Sequence, residues 1–251
     1  MVKEEAATRA RSRVLMGDMA LLLLLLLALA ADPEAVEVEK LVALLNEKKT
    51  DDALVLLKEI EGMKGNHAEA KALVRMIRTR DVPKPPEVME ASFLALKGIG
   101  SREATRDLLR LLENSDLRKD AAIRIGVCRA LEGSADPAGV EALTDLMRDK
   151  EDRVIAAAAD AAAAHRHSPE AIRKELFKEV LEVYVPTWNL KNAVDPDLKV
   201  EKARAERKWE IVATSMERAL QLLSNVNQQD PPAWQRWWNK NKKKRWQAVD
   251  G

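Results

Sequence analysis

The sequence predicts an all-α protein built from helical hairpins stacked in series. Three observations predict it. Ala, Leu, Glu, Lys and Arg dominate while aromatic residues make up only 4% of the chain, which is a helical composition. Clusters of β-branched residues bounded by turn signals, as strands require, are nearly absent. One phrase recurs: Val or Ile, then Ala seven positions on, then Leu or Ala. It occurs at Val88…Ala95-Leu96, Ile123…Ala130-Leu131, Val154…Ala161-Ala162 and Val212…Ala219-Leu220. Offsets of seven and eight return to one helical face after two turns. Ala on that face admits a neighbouring helix, and the next residue fills the space beside it.

Residues 1–30 read as a secretory leader. Arg9, Arg11 and Arg13 precede an apolar run of about 12 residues that contains Leu21 to Leu27, and Ala28-Leu29-Ala30 supplies a small-residue exit. The predicted cleavage follows Ala30, and the predicted location is periplasmic or extracellular. Two other readings compete. A soluble core helix would need a polar face, which seven consecutive leucines do not offer. An uncleaved N-terminal membrane anchor would need about 20 apolar residues, and Asp18 and Asp32 bracket a shorter run. About 220 residues follow, enough for one domain or a short repeat array. The single cysteine, Cys128, makes no internal disulfide and reads as a small buried hydrophobe.

Residues 31–82 form predicted N-terminal capping helices. Three apolar stripes run through Val38, Leu41, Val42, Leu44 and Leu45, through Leu54, Leu56, Leu57 and Ile60, and through Leu73, Val74, Met76 and Ile77. Gly62 and Gly65-Asn66 divide them, and Val82-Pro83-Lys84-Pro85-Pro86 is a stiff connection.

Residues 83–226 carry the repeats. Each phrase is followed by a break and a second amphipathic run. Gly98 and Gly100 precede Ala104, Leu108, Leu109, Leu111 and Leu112. Gly133 and Asp136-Pro137 precede Val140, Leu143, Leu146 and Met147. Ser168-Pro169 precedes Ile172, Leu176, Phe177, Val180 and Leu181. Glycine ends a helix through its freedom at positive φ, and Asp-Pro or Ser-Pro opens the next with a capping oxygen. The first two intervals between phrases are about 35 and about 31 residues, and the last is longer by about 25. An insertion near residues 185–197 accounts for the excess. Pro186, Trp188, Asn189, Asn192 and Asp195-Pro196 there suit an ordered loop, with Trp188 packed on the array.

Helix pairs of this length with a Val-Arg-x-x-Ala-x-x-Ala-Leu-like phrase, closest at Ile123-Arg124 followed by Ala130-Leu131, resemble HEAT repeats. Val88-Met89 and Val154-Ile155 lack the Arg. The resemblance covers about residues 85–185, with a looser copy from about 197 to 226. It implies an armadillo-like, right-handed α-solenoid (an alpha-alpha superhelix) in which stacking buries an apolar face that no hairpin buries alone.

Residues 227–251 hold a tryptophan-rich helix and a basic segment. Asp230-Pro231 starts the helix, and Trp234, Trp237 and Trp238 share one face. This ending is similar to that of exported bacterial HEAT-repeat proteins, where a Thr-Gly-type turn leads to Trp-x-x-Trp-Trp; here Ser224-Asn225 stands at that turn. Trp246 extends the stripe. The rings are expected to cap the last repeat, with a sugar- or cation-binding platform as the competing reading. Lys240, Lys242, Lys243, Lys244 and Arg245 follow. They read as a solvated run, or as a contact for anionic envelope polymer or lipid; the leader argues against nucleic acid. Charge is uneven: roughly +5 from residue 231 onward and roughly −5 over 31–230, within a total of +1.

No phosphate loop, nucleophile elbow or zinc-protease signature occurs. His165 and His167 form the only His pair, with no Cys or acidic cluster beside them. The expected role is therefore non-catalytic: a protein–protein scaffold or adaptor without cofactor or metal, its partner unidentified. The expected surface is the concave face of the second helices, with Arg106, Arg110 and Arg148 as candidate contacts. The alternative is an envelope-anchoring or carbohydrate-binding module using the Trp and Lys segment.

Overall fold

A computed structural model describes residues 35–246, apart from 133 and 135. The segment 1–30 expected to be a leader, the expected break at Gly133, and Asp250 lie outside the described residues.

The described chain is all-α. Its eleven α-helices are α1 (Val36–Asn46), α2 (Thr50–Glu61), α3 (His67–Arg78), α4 (Pro86–Ile99), α5 (Arg102–Glu113), α6 (Ala121–Leu131), α7 (Pro137–Leu146), α8 (Asp152–Ala163), α9 (Glu170–Lys191), α10 (Lys199–Ser224) and α11 (Pro231–Asn241). They pack in sequence order as two rows. Each of α2, α4, α6, α8 and α10 touches the next member of its row. A second row runs α1, α3, α5, α7, α9, and α11 packs on α9. Consecutive helices also touch across the rows, as in α1–α2, α3–α4 and α9–α10. This arrangement is compatible with a helical-repeat solenoid.

The recurring phrase explains the first row. It falls on α4, α6, α8 and α10, and all of its residues are buried, none more than 4% exposed. Short polar residues open helices: Asn66, Ser101, Asp120, Asp136 and Asp230 each accept a backbone N–H from the first turn that follows. Helix α1 has no local cap. The Glu69 carboxylate reaches over from α3 and accepts from Glu37 N and Val38 N, both at 3.0 Å.

Ion pairs join one hairpin to the next. Arg102 Nε meets Asp136 Oδ2 at 2.8 Å, Lys97 Nζ meets Glu132 Oε2 at 2.6 Å, and Arg148 pairs with Glu179. Arg124 is 4% exposed and grips Asp149 with two guanidinium nitrogens, at 2.7 and 3.1 Å, while donating to Arg118 O. The bidentate pair ties α6 to the turn after α7.

Several expectations are corrected. The segment 185–197 is no loop before residue 192, because α9 continues to Lys191 through Pro186. The long interval lies in two extended helices, of 22 and 26 residues. A proline inside a helix costs about 3 kcal/mol. Packing offsets it here: Tyr184 stacks on Trp209 of α10 at 5.0 Å, and Lys191 lies over the same indole at 4.8 Å. Gly98 does not end α4 but lies within it. A Cβ there would sit 2.2 Å from Glu61 O, so the residue permits close approach of α2. Gly100, at φ +57°, is the terminator. Ser168 does not cap α9; its hydroxyl bonds His165 Nδ1 at 3.1 Å instead. Asn225 takes φ +56° and closes α10 as a glycine would. Among the described residues no helix is long and apolar enough to cross a membrane.

Candidate functional site

The extended helices create the most distinctive surface. Helices α7 and α8 have 10 and 12 residues, so the far halves of α9 and α10 project beyond them. The α7–α8 turn becomes a shelf and the projecting pair a wall. A cleft of about 420 Å³ fills the corner. Met147, Ile155 and Val183 supply apolar lining; Arg148, Lys150, Arg204 and Lys208 face Asp152, Glu182 and Glu201 around it. A second, larger groove of about 880 Å³ adjoins it along α5, the 117–119 turn and α7, lined by Leu109, Leu112, Arg118, Glu141 and Asp145 among others. Arg148, Asp149 and Lys150 border both.

The shelf is held in place from below. Asp149 accepts the buried Arg124 fork and also the backbone N–H of Glu151, at 2.8 Å. Arg148 bridges shelf to wall through Glu179, with Glu182 at 3.7 Å. Lys208 is half-buried on the wall; burial lowers its pKa, and the Asp152 carboxylate partly opposes the shift.

The candidate residues fall into separate places. Arg106 and Arg110 are exposed on α5, and Arg110 pairs with Asp107. Arg148 is also exposed, but in the turn after α7 instead of on it, and it alone of the three lines the clefts. Trp188 is half-buried on α9, outside both clefts.

Trp234, Trp237 and Trp238 converge on Phe177 of α9, with ring centroids 5.8, 5.3 and 5.3 Å away. Trp234 and Phe177 are fully buried. Trp246 joins the same cluster at 5.3 Å, but not along the helix, since α11 ends at Asn241. The chain turns back, with the Trp246 indole N–H donating to Asn241 O at 3.2 Å. Lys242, Lys243, Lys244 and Arg245 are exposed on that return, and Lys174 Nζ holds it by donating to Lys244 O at 2.7 Å. The rings thus pack largely on each other, with Arg173 and Lys174 over the Trp246 ring at 5.8 and 5.6 Å.

His165 and His167 diverge. His165 is buried, and burial lowers its pKa, with the Leu131 backbone pulling the other way. His167 is exposed and accepts from Arg166 Nε at 2.8 Å. Cys128 is completely buried, and burial pushes its thiol pKa far up.

The sequence analysis does not single out Lys150, Arg204 and Lys208, because reading 185–197 as a loop removes the part of α9 that faces them across the cleft. Lys208 carried one usable signal: it lies four residues before Val212 on the repeat phrase's own helix, upstream of where earlier copies begin. Comparison with protein-family models, curated proteins and solved structures finds no match.

Proposed function

We propose that this chain is a right-handed α-solenoid of HEAT-like hairpins acting as a non-catalytic protein-interaction scaffold, delivered by the leader at residues 1–30 to the periplasm or cell exterior. The observation that carries this reading is the paired cleft. It is open, floored by apolar side chains and rimmed by both signs of charge. Such a surface suits a polypeptide segment, which offers apolar anchors and mixed charges at residue spacing. It is less suited to a small metabolite, which needs an enclosed pocket with converging polar groups.

The test compares affinity capture from envelope extracts by the wild-type chain and by an Arg148→Glu/Lys208→Glu variant. One stoichiometric protein held by the wild type and lost by the variant supports the scaffold. Nothing above background, or a partner held equally by both, counts against it. The ring packing around Phe177 favours the capping role of Trp234, Trp237 and Trp238 over a sugar platform. Deleting residues 231–251 should accordingly lower fold stability.

A further inference from the structure

We infer that Arg236, Lys240, Lys242, Lys243, Lys244 and Arg245 form a preorganised basic surface that docks on the anionic face of a phospholipid bilayer. The inference is independent of the scaffold reading and uses residues remote from its cleft in sequence.

The surface stands out by its density of one sign: four consecutive cations at 242–245, and no acid between residues 231 and 246. All six side chains belong to exposed residues, and none has a carboxylate within ion-pair distance among the described residues. Five cations along the hairpins, Lys97, Arg102, Arg124, Arg129 and Arg148, each engage an acid of a neighbouring element instead. Two acids of the local fold are already committed. Glu170 pairs with Lys174 at 2.5 Å, a contact that lowers its pKa, and Asp230 caps α11 through Ala233 N at 2.6 Å.

The six cations are also held together. On α11, Arg236 and Lys240 are one turn apart and opposite the Trp234–Trp238 face. Beyond α11 the chain does not run off into solvent. Trp246 is only 7% exposed, inserted among Phe177, Trp237 and Trp238, and Lys174 grips the Lys244 carbonyl. Like charges on adjacent residues repel, and the aromatic anchor holds them close regardless. A bound anionic surface would relieve that repulsion, and the ordering entropy is already spent before contact.

The packing also selects among polyanions. Single-stranded nucleic acid is recognised by stacking bases on open aromatic faces, whereas these rings pack on one another. Four of the six cations are lysines, compact charges suited to a diffuse headgroup field; a clustered basic segment beside an amphipathic helix fits an anionic leaflet.

The test is co-sedimentation of the full chain with phosphatidylcholine vesicles, with and without about 30% phosphatidylglycerol, at roughly 0.15 M salt where the Debye length is about 8 Å. The readout is the ratio of anionic to neutral binding, because the leucine run contributes alike to wild type and variants. The wild type should prefer anionic vesicles. The Lys242→Gln/Lys243→Gln/Lys244→Gln variant should lose at least about tenfold of that preference, and the triple Lys→Arg variant should keep it. Circular dichroism melts should coincide, since the altered side chains are exposed. The inference is overturned by equal preference in wild type and Gln variant, by no preference in the wild type, or by tighter binding to a DNA oligonucleotide at matched phosphate. None of these results bears on capture through the Arg148–Lys208 cleft.

Discussion

Replacing Gly126 by alanine tests the packing argument most sharply, because propensity and packing predict opposite signs. Gly126 lies in the middle of α6. In a solvated helix, Gly→Ala gains about 1 kcal/mol. Here the added Cβ would lie 2.1 Å from Phe93 Cδ2 and 2.2 Å from Cε2. Carbon atoms rest about 3.5–4.0 Å apart, so the ring must retreat by about 1.5 Å. Phe93 is 2% exposed, inside the main core, and has nowhere to go without moving α4. Overpacking of this kind costs about 1–3 kcal/mol, and so short an approach belongs at the upper end. After the propensity gain, a net loss of about 2 kcal/mol remains, or about 4–8 °C in melting temperature for a chain of this size. The assay is a thermal melt followed by circular dichroism, with a urea titration as a second measure. A double-mutant cycle isolates the cause. In a Phe93→Leu background, Gly126→Ala should be neutral or mildly stabilising. The reasoning fails if Gly126→Ala raises the melting temperature by itself, or if the two substitutions add within about 0.5 kcal/mol.

Three further outcomes are expected. Arg124→Met should cost about 3–5 kcal/mol by stranding Asp149 beside the core, and Arg124→Lys should recover little, as an ammonium cannot make both bonds; denaturant midpoints of the two variants measure this. His165 is held neutral by burial, so its folded pKa lies below the unfolded value of about 6.5. The unfolded chain then binds the proton first, and stability present above that pH should fall as pH drops toward the folded value; His165→Gln should flatten the stability difference between pH 8 and pH 5. Cys128 should resist a water-soluble disulfide reagent in the native protein and react at once in denaturant, followed by absorbance; rapid native labelling would contradict its burial.

Much of the fold was legible because its signals are local. The phrase on Val88, Ile123, Val154 and Val212 placed four core helices correctly, since seven- and eight-residue offsets mark one face whatever lies opposite. Asp136-Pro137 and Asp230-Pro231 marked helix starts through side-chain oxygens within three residues. Ser168-Pro169 also marks a helix start, but without the capping bond, because the Ser168 hydroxyl has His165 as a competing partner. The candidate site was less legible. Arg148 is legible as an exposed contact and does line the clefts, but Lys150, Arg204 and Lys208 gain shared meaning only from the packing of shelf against wall.

By itself, the sequence determined helical class, helix order, which face of each helix is apolar, and the aromatic grouping on α11. These follow from periodicity and capping, which act within a few residues. The tertiary structure alone decided that α9 runs through Pro186, that Gly98 serves contact instead of termination, that Gly126 makes room for Phe93, and that Trp246 folds back to Phe177. Each depends on a neighbour distant in sequence: Trp209 for the proline helix, Glu61 and Phe93 for the glycines, Phe177 for the returning indole. A helix break or a free tail would be the cheaper local choice in each case, and packing against the neighbour reverses it.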